Sequence, residues 1–389
     1  MTNPLPVAGM AERVAGVVRG AVARARLVGA VVLVSVDGAP VVRCSAGLAD
    51  RDAGSEMRPD TPMRLASLTK PVVTALALAL AEQGRLTLDD PVTRFLPDFR
   101  PPCADGSVPV ITLRHLLTHT AGLSYGFAFP RNDNPYARAG VSDGIAQPGM
   151  ALADNLARLA SVPLLFAPGQ GWAYSLALDV VGGVLERVGD AGLPDLVQRH
   201  IGAKLGWTRS GFSVPGTAGL AAAYADARPA PVAMGAHYVM PRILPDGGTS
   251  EIVFAPDRVR DAASYPSGGA GMVGTAEEFL RFLEALRTGG GPILSAASAA
   301  LFSQNAIGDL PMGPLDQGMR FAVGAALVDD PARARSPLSR GAFTWGGVYG
   351  HQWIVDPDRA TTIVMMSNTA LAGMAGAYPD AVRDAVYGV

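Results

Sequence analysis

The stretch "RLASLTKPVVTALALALAEQG", residues 64–84, places a serine and a lysine at the start of a long apolar segment. Ser67 precedes Lys70 by three residues, and the apolar residues that follow predict a helix that ends at Gly84. This spacing puts both side chains on one face of the first turn, where backbone N–H groups have no partner within the helix. Because the predicted helix is apolar nearly all round, Lys70 is expected to be buried. Burial favours a neutral amine, which can accept the proton of Ser67. The alternative is a capping serine beside a lysine that reaches solvent.

Two other serines match the Gly-x-Ser-x-Gly pattern of a nucleophile elbow: Ser124 in "GLSYG" and Ser142 in "GVSDG". An elbow requires a strand before the serine and a helix after it. The segment before Ser124, "ITLRHLLTHTAG", instead has helical spacing and is predicted to end at Gly122. Ser142 lies among turn-forming residues. We therefore predict that neither serine is the nucleophile.

The composition of the 389 residues is that of a core-forming globular protein, with 49% hydrophobic and 17% charged residues. A formal net charge of −2 argues against binding to nucleic acid or anionic lipid. No apolar run is long enough to span a bilayer. The histidines lack metal-ligand spacing, and there is no glycine-rich phosphate loop, so neither a metal nor a cofactor is expected.

The cellular compartment is expected to be the cytoplasm. The first residues lack the charged and apolar regions of a signal peptide. Cys44 and Cys103 are far apart in the sequence, so a disulfide framework or a cysteine metal site is not expected.

Both ends of the chain predict elements of a sheet domain. Val14, Val18 and Val22 recur at four-residue spacing, which indicates an amphipathic surface helix. Two β-branched runs around Asp37 and Gly38 indicate a hairpin. The C-terminal part contains the strand-like runs "FAVGAALVDD", "GAFTWGGVYGHQWIVDP" and "ATTIVMMSN" and ends in a predicted helix, "YPDAVRDAVYG".

The middle of the chain has a different character. Residues 67–210 show helical periodicity broken by proline and glycine, whereas residues 215–250 have no clear period and predict a long loop or flap. Thr275 and Glu278 form a capping-box pattern that opens another helix. We therefore expect an α/β (α+β) fold in which a helical domain is inserted into a sheet domain. The expected sheet domain comprises residues 1–65 and 266–389, the helical domain residues 66–265, and the active site lies at their interface.

Four segments resemble, in this order, class C serine β-lactamases and their relatives: "RLASLTKPVVTALALALAEQGRLTLDDPVTRFLP", "ITLRHLLTHTAGL", "WAYSLALDVVGGVLERV" and "SGGAGMVGTAEEFLRF". The resemblance covers about residues 20–389. Within this superfamily the chain looks most like the family VIII carboxylesterases, because the usual Lys-Thr-Gly motif reads Trp345-Gly346-Gly347. The resemblance implies a serine β-lactamase-like fold, with an antiparallel sheet flanked by the N- and C-terminal helices.

The resemblance also implies the catalytic residues. Ser67 corresponds to the nucleophile and Lys70 to its basic partner. The Tyr-x-Asn motif is matched by Tyr174-Ser175-Leu176, so Tyr174 is expected to share a proton with Lys70 and to pass it to the leaving alcohol. The backbone N–H groups of Ser67 and Val348 are expected to form the oxyanion hole. Taken alone, a tyrosine at the position of Tyr174 is more often a core or capping residue.

Two departures from the family's motifs bear on the substrate. Leu176 replaces an asparagine that binds an amide side chain, and Trp345 replaces a lysine that pairs with a carboxylate. An indole offers apolar area and one N–H but no charge, so uncharged acyl esters are expected. A structural core position is the alternative for Trp345, and a structural strand position is the alternative for His351. The residues expected to contact substrate are Tyr125, Leu176, Trp345, Gly346 and Gly347.

The sequence therefore predicts a cofactor-independent serine carboxylesterase that hydrolyses short-chain acyl esters through an acyl-enzyme on Ser67. Its expected partner is a small-molecule ester, not nucleic acid or a membrane, and the oligomeric state is left open. The enzymatic alternatives are a class C-like β-lactamase, a D-alanyl peptidase or transesterase, and an acyltransferase or amide hydrolase. The alternative from another class is a catalytically silent ligand-binding homologue.

Overall fold

The computed structural model describes residues 5–212, 219–313 and 317–389. The strands are β1 (Gly29–Val36), β2 (Ala39–Asp50), β3 (Ser55–Glu56), β4 (Met63–Arg64), β5 (Gly211–Phe212), β6 (Tyr224–Ala225), β7 (Val232–Ala233), β8 (Tyr238–Ile243), β9 (Thr249–Phe254), β10 (Met272–Gly274), β11 (Met319–Phe321), β12 (Ala326–Val328), β13 (Phe343–Gly347), β14 (His351–Asp356), β15 (Thr361–Ser367) and β16 (Thr369–Ala370). The α-helices are α1 (Met10–Ala23), α2 (Thr69–Glu82), α3 (Leu113–Leu117), α4 (Pro135–Arg138), α5 (Leu152–Ala160), α6 (Ala177–Gly189), α7 (Leu193–Val197), α8 (Ala276–Arg287), α9 (Ala296–Ala300), α10 (Pro331–Ala334) and α11 (Ala377–Tyr387).

The largest sheet joins strands from both ends of the chain, in the order β11-β12-β13-β14-β15-β1-β2-β3. Its neighbouring strands are antiparallel, and β1 pairs with β15 from Ala30 opposite Ser367 to Val36 opposite Thr361. Because the two termini meet in one sheet, the chain between them forms an excursion from the sheet. The placement of the domain boundaries at residues 65 and 266 stays a prediction.

Strand β1 is covered on both faces, as its nearly continuous apolar sequence requires. Alternate residues of a strand point to opposite faces. Val31 and Leu33 accordingly belong to the large core that contains α2 and α8, whereas Val32 and Val34 belong to a second core with α1 and α11. The expected antiparallel sheet flanked by the terminal helices is therefore confirmed.

The two terminal helices pack against each other on that second face. Helix α1 buries Met10, Val14 and Val18, so the predicted amphipathic helix is confirmed. The Arg13 side chain crosses to α11, where its Nε donates a 2.9 Å hydrogen bond to the carbonyl oxygen of Ala385. The first and last helices are thus held side by side.

The predicted hairpin between β1 and β2 is present. Asp37 and Gly38 form its turn with φ angles of 52° and 79°. Positive φ at both central residues matches the right-handed twist of the flanking strands, and Asp-Gly is a pair that tolerates it.

The region predicted as a loop or flap contains a second hairpin, so that prediction is wrong in part. β8 and β9 pair from Tyr238 opposite Phe254 to Ile243 opposite Thr249. The turn is closed by a 2.8 Å hydrogen bond from the Leu244 N–H to the Gly248 carbonyl. The segment "PDGGTS", predicted as loop, forms this turn and the first two residues of β9. Pro241 within β8 interrupts the alternation of the first strand. Residues 213–218 of the predicted loop lie outside the described residues.

The helix predicted to end at Gly122 is shorter than expected. α3 ends at Leu117, and its N-terminus is capped by Thr112. Gly122 has a φ of 84° for another reason: a Cβ at this position would clash with the Phe166 carbonyl oxygen.

The predicted capping box of α8 is half formed. Thr275 Oγ1 accepts a 3.2 Å hydrogen bond from the Glu278 N–H. The Glu278 carboxylate does not return to the Thr275 N–H, which binds Ser210 instead. The Glu278 carboxylate accepts a 2.7 Å hydrogen bond from the Thr208 N–H and so joins α8 to the end of the helical region.

Within the described ranges, no helix is both long enough and apolar enough to cross a bilayer.

Candidate active site

Ser67 lies in a single 3₁₀ turn, Ala66–Leu68, that leads directly into α2. The preceding residue, Ala66, has a φ of 46° and is fully buried. A left-handed conformation costs a non-glycine residue roughly 1–2 kcal/mol, and such strain is found where surrounding structure fixes the backbone at a functional site. The turn places the Ser67 hydroxyl at the N-terminus of α2.

Lys70 is buried, with 2% of its surface exposed, as its apolar helix predicts. Its Nζ donates hydrogen bonds to Ser67 Oγ (3.3 Å), Tyr125 Oη (2.9 Å) and the Gly269 carbonyl oxygen (2.8 Å). All three donors of an ammonium group are therefore used. The lysine is held beside the serine from two other parts of the chain.

Tyr174 lies on the other side of the serine. Its phenol donates a 2.6 Å hydrogen bond to Ser67 Oγ. The Lys70 Nζ lies 4.8 Å from the centre of the Tyr174 ring. The sequence predicted a direct proton exchange between Lys70 and Tyr174; the hydrogen bonds instead link the two through Ser67.

Trp345, on β13, contacts the same tyrosine. Its indole Nε1 donates a 3.3 Å hydrogen bond to Tyr174 Oη, and the two ring centres are 5.0 Å apart. Tyr174 therefore has an N–H donor on one side and the serine on the other. These two contacts fix the position of the phenol oxygen beside the serine.

Tyr125 is placed to hold Lys70. It is 3% exposed, and its ring stacks on Phe127 with 4.7 Å between ring centres. Burial, together with repulsion from Tyr174 and Asp179, raises the pKa of Tyr125 well above its ordinary value, so it stays a phenol. The sequence predicted a contact between Tyr125 and substrate; the observed polar contact is to the lysine.

The strand β13 approaches the nucleophile closely through its glycines. A Cβ on Gly347 would lie only 2.7 Å from the Leu65 carbonyl oxygen and 2.9 Å from the Leu68 side chain. A Cβ on Gly346 would lie 2.6 Å from Met374. Only glycine permits this packing of β13 against the turn that carries Ser67. Val348 follows β13 directly, and its carbonyl is held by the Leu371 N–H at 3.1 Å.

Leu176 lies in the core, not on a surface. It is 1% exposed at the start of α6, and its N–H donates to the Ser124 carbonyl oxygen at 3.3 Å. A contact between Leu176 and substrate stays a prediction that this burial does not support.

The two serines of the elbow-like patterns are also internal. Ser124 is 2% exposed, and its N–H donates a 2.7 Å hydrogen bond to Tyr136 Oη. Ser142 is 1% exposed, and its hydroxyl donates to the Ala146 carbonyl at 3.2 Å. A nucleophile elbow requires a helix directly after the serine, and neither an α-helix nor a 3₁₀ turn begins at Ser124 or Ser142. Both glycine patterns are local turns in the chain.

His351 lies behind the site, on β14. Its Nε2 is 2.7 Å from the Arg64 carbonyl oxygen. Because a carbonyl only accepts, Nε2 carries the proton. Burial lowers the pKa of His351 to about 4, so the ring is neutral at pH 7. This hydrogen bond joins β14 to Arg64, which lies three residues before Ser67. The contacts of His351 are therefore structural.

Two site residues escaped the sequence interpretation. Gly269 supplies a carbonyl to Lys70, and the buried Asp179 binds the Gly269 N–H. Gly269 lies in the segment "SGGAGM", which begins the last of the four segments that carry the family resemblance. The signal for Asp179 was a lone acid in the otherwise apolar helix start "LALDVVGG".

Across the residues that the structure describes, no group of three or more His, Cys, Asp or Glu side chains is arranged to hold a metal ion.

The chain is similar to several known proteins. Residues 14–387 match the profile of the Beta-lactamase family. The chain is 46% identical to Esterase EstB of Burkholderia gladioli over 384 residues, which covers 98% of this chain and 96% of that protein. Among solved structures, EstCE1, "a hydrolase with promiscuous acyltransferase activity", aligns with a TM-score of 0.92 and 42% identity over 98% of this chain and 99% of its own. Simvastatin synthase LovD from Aspergillus terreus aligns with a TM-score of 0.74 at 23% identity, over 97% of this chain and 98% of its own, and shows the fold alone.

Proposed function

The chain belongs to the beta-lactamase family, and we propose that within this family it is a serine carboxylesterase that forms an acyl-enzyme on Ser67. Its near full-length similarity to an esterase and to a hydrolase supports this class of reaction. The observation that carries the assignment of the nucleophile is the position of Ser67 Oγ. It lies 2.6 Å from Tyr174 Oη and 3.3 Å from Lys70 Nζ.

In the acylation step Tyr174 acts as the base. With Lys70 as the ammonium and Tyr174 as the phenolate, the Ser67 proton passes along the 2.6 Å contact to Tyr174 Oη. The Ser67 oxygen forms a bond to the ester carbonyl carbon, and the carbonyl electron pair becomes an oxyanion. The N–H groups of Ser67 and Val348 stabilise that charge. When the carbon–alkoxy bond breaks, the alcohol leaves with the proton that Tyr174 holds.

Deacylation repeats these steps with water. Tyr174 takes a proton from the water, whose oxygen bonds to the acyl carbon. The second tetrahedral intermediate collapses, the bond to Ser67 Oγ breaks, and the proton returns from Tyr174 to Ser67. Lys70 keeps its charge beside both oxygens throughout, held by Tyr125 and Gly269.

The proposed substrates are uncharged esters with short acyl chains. Trp345 and Tyr174 present an aromatic wall beside the serine, with ring centres 5.0 Å apart. Phe321 is buried and packs behind this wall, with its ring centre 5.5 Å from that of Trp345. None of these three side chains carries a cation for a substrate carboxylate. We also propose the domain arrangement. Residues 1–65 and 266–389 form the sheet domain, and the site lies between this domain and the helical domain of residues 66–265.

We also propose a cytoplasmic location. Cys44 and Cys103 are free thiols, as expected in a reducing compartment. Cell fractionation with activity assays tests it; activity confined to the periplasm or the medium would contradict it.

The experiment that tests the nucleophile is labelling with a fluorophosphonate, which reacts with activated serines. The wild-type protein should be labelled and should hydrolyse p-nitrophenyl butyrate, whereas Ser67→Ala should do neither. A wild-type protein that binds esters without hydrolysis or labelling would be the silent binding homologue.

A further inference from the structure

A buried carboxylate outside the proposed catalytic residues lies close to Lys70. Asp179 is 1% exposed in the first turn of α6, five residues after Tyr174. Its Oδ1 accepts hydrogen bonds from Ser267 Oγ (2.6 Å) and from the Gly269 N–H (2.9 Å), and its Oδ2 accepts from Tyr265 Oη (3.3 Å). Burial of a carboxylate is costly unless its oxygens are paired, and here three donors pair with them.

Gly269 separates this carboxylate from the lysine. Its N–H binds Asp179, and its carbonyl oxygen accepts the 2.8 Å hydrogen bond from Lys70 Nζ. A Cβ on Gly269 would lie 3.3 Å from Lys70 Nζ, 3.4 Å from Tyr125 Oη and 3.5 Å from Asp179 Oδ1. Gly269 is therefore packed tightly between the Asp179 carboxylate and the Lys70 amine. A shift of Asp179 would move the Gly269 carbonyl that holds Lys70.

The charged groups around Asp179 come from several elements. Lys70 of α2 and Arg258, which precedes the glycine-rich segment, favour the ionised carboxyl, and so do the donors Ser267 and Gly269. Burial is the larger effect and raises the pKa of Asp179 above its ordinary value. Asp143, which is half-buried, is a second acid nearby. The phenols of Tyr125 and Tyr265 also face this charge and stay protonated.

We propose that Asp179 is a positioning residue: its carboxylate fixes Gly269 so that the glycine carbonyl aims Lys70 Nζ at Ser67, and its negative charge balances the ammonium form of Lys70. This inference rests on the proposed esterase mechanism. It makes the acid of "LALDVVGG" part of the proton-transfer machinery without any contact to substrate. Asp179 acts through Gly269 and Lys70 only.

The decisive variant is Asp179→Asn, which keeps the shape and an acceptor oxygen for Gly269 but removes the charge. We expect kcat for p-nitrophenyl butyrate to fall about 10-fold or more, with KM changed less than about 2-fold, because a charge-assisted hydrogen bond is lost away from the substrate. The pH dependence of kcat should also move, because the Asp179 carboxyl, whose pKa is raised by burial, no longer titrates in the variant. A merely structural role would lower the melting temperature and leave the pH dependence unchanged.

Glu186→Gln is the matched control, because Glu186 is a carboxylate of the same helix that accepts from the Leu193 N–H at 2.9 Å, away from the site. It should leave kcat and the pH profile as in the wild type. An Asp179→Asn protein with wild-type kcat and pH profile would overturn the proposal.

If Asp179→Asn does not fold, Ser267→Ala decides, because it removes the 2.6 Å donor that orients the carboxylate. We expect kcat to fall about 3-fold or more at unchanged KM, and no change would overturn the proposal. If the wild type neither hydrolyses esters nor reacts with fluorophosphonate, the proposed function and this inference fall together. An active wild type together with an equally active Asp179→Asn variant would contradict this inference and leave the proposed function intact.

Discussion

The indole Nε1 of Trp345 donates a 3.3 Å hydrogen bond to the phenol oxygen of Tyr174. The indole therefore supplies a polar contact to the tyrosine that lies against the nucleophile, although it replaces a lysine in the family's motif. Since this N–H bonds to the phenol oxygen, it fixes the position of that oxygen beside Ser67.

This contact predicts the behaviour of Trp345→Phe. The variant keeps a ring at the site but loses the N–H that positions the Tyr174 oxygen, so kcat/KM for p-nitrophenyl butyrate should fall about 10-fold at pH 7. Trp172→Phe is the control, because the Trp172 Nε1 has no hydrogen-bond partner among the described residues. An unchanged kcat/KM in Trp345→Phe would show that the N–H does not assist Tyr174.

Substitution of the three serines tests which one reacts. Ser67→Ala should lower kcat at least about 1,000-fold, because the hydroxyl that is hydrogen-bonded to both Lys70 Nζ and Tyr174 Oη is removed. Ser124→Ala and Ser142→Ala should stay within a few-fold of the wild type, since both hydroxyls are buried. Steady-state hydrolysis of p-nitrophenyl butyrate gives the comparison. An active Ser67→Ala protein would refute the assignment.

Substrate charge should separate esters from β-lactams. A β-lactam carboxylate placed against Trp345 is desolvated without a cation, at a cost of about 1–3 kcal/mol or roughly a 10- to 100-fold loss of kcat/KM. Acetyl to butyryl esters carry no such charge and should be turned over well. The measurement is kcat/KM for p-nitrophenyl butyrate and nitrocefin on the same preparation. A larger value for nitrocefin would identify a β-lactamase instead.

Acid should destabilise the fold through His351. Its pKa is about 4 in the folded protein and about 6.5 when unfolded, so the unfolded state binds the proton more readily between these values. The contribution of the neutral His351 to the free energy of unfolding is fully present above pH 6.5. It is lost as the pH falls toward 4, and the total loss is about 3 kcal/mol. Chemical denaturation of the wild type and His351→Gln at pH 7 and pH 4.5 measures it. The variant should lose less stability than the wild type on acidification; an equal loss contradicts the prediction.

The sequence predicted the elements whose patterns are local. The apolar run after Ser67 indicated α2 and the burial of Lys70, and Asp37-Gly38 indicated the first hairpin. Both rest on periodicity or turn chemistry within a few residues. The pattern around β8 and β9 failed because each strand has only six residues and one contains Pro241.

Contacts between distant segments could not be predicted from local patterns. Residues as far apart as Lys70, Tyr125 and Gly269 meet only in the folded chain. The resemblance to a family supplied Ser67, Lys70 and Tyr174 but gave Leu176 an expected substrate contact, whereas this leucine packs in the core. A motif aligns positions along the chain; the neighbours that surround each side chain are set by tertiary packing.

The contact between the first and last helices makes this chain suited to circular permutation. Arg13 of α1 reaches the Ala385 carbonyl of α11, and a Cβ on Gly388 would lie 2.6 Å from Pro6. Residues near the two ends are therefore adjacent, and a short glycine–serine linker suffices to join them. New ends are best opened between Asp246 and Gly247, at the exposed tip of the β8–β9 hairpin, where a Cβ on Gly247 would meet no atom within 4 Å. Such a permutant should fold, since the central pairing of β1 with β15 is retained, and hydrolysis of p-nitrophenyl butyrate would report whether the site survives the new order of its segments.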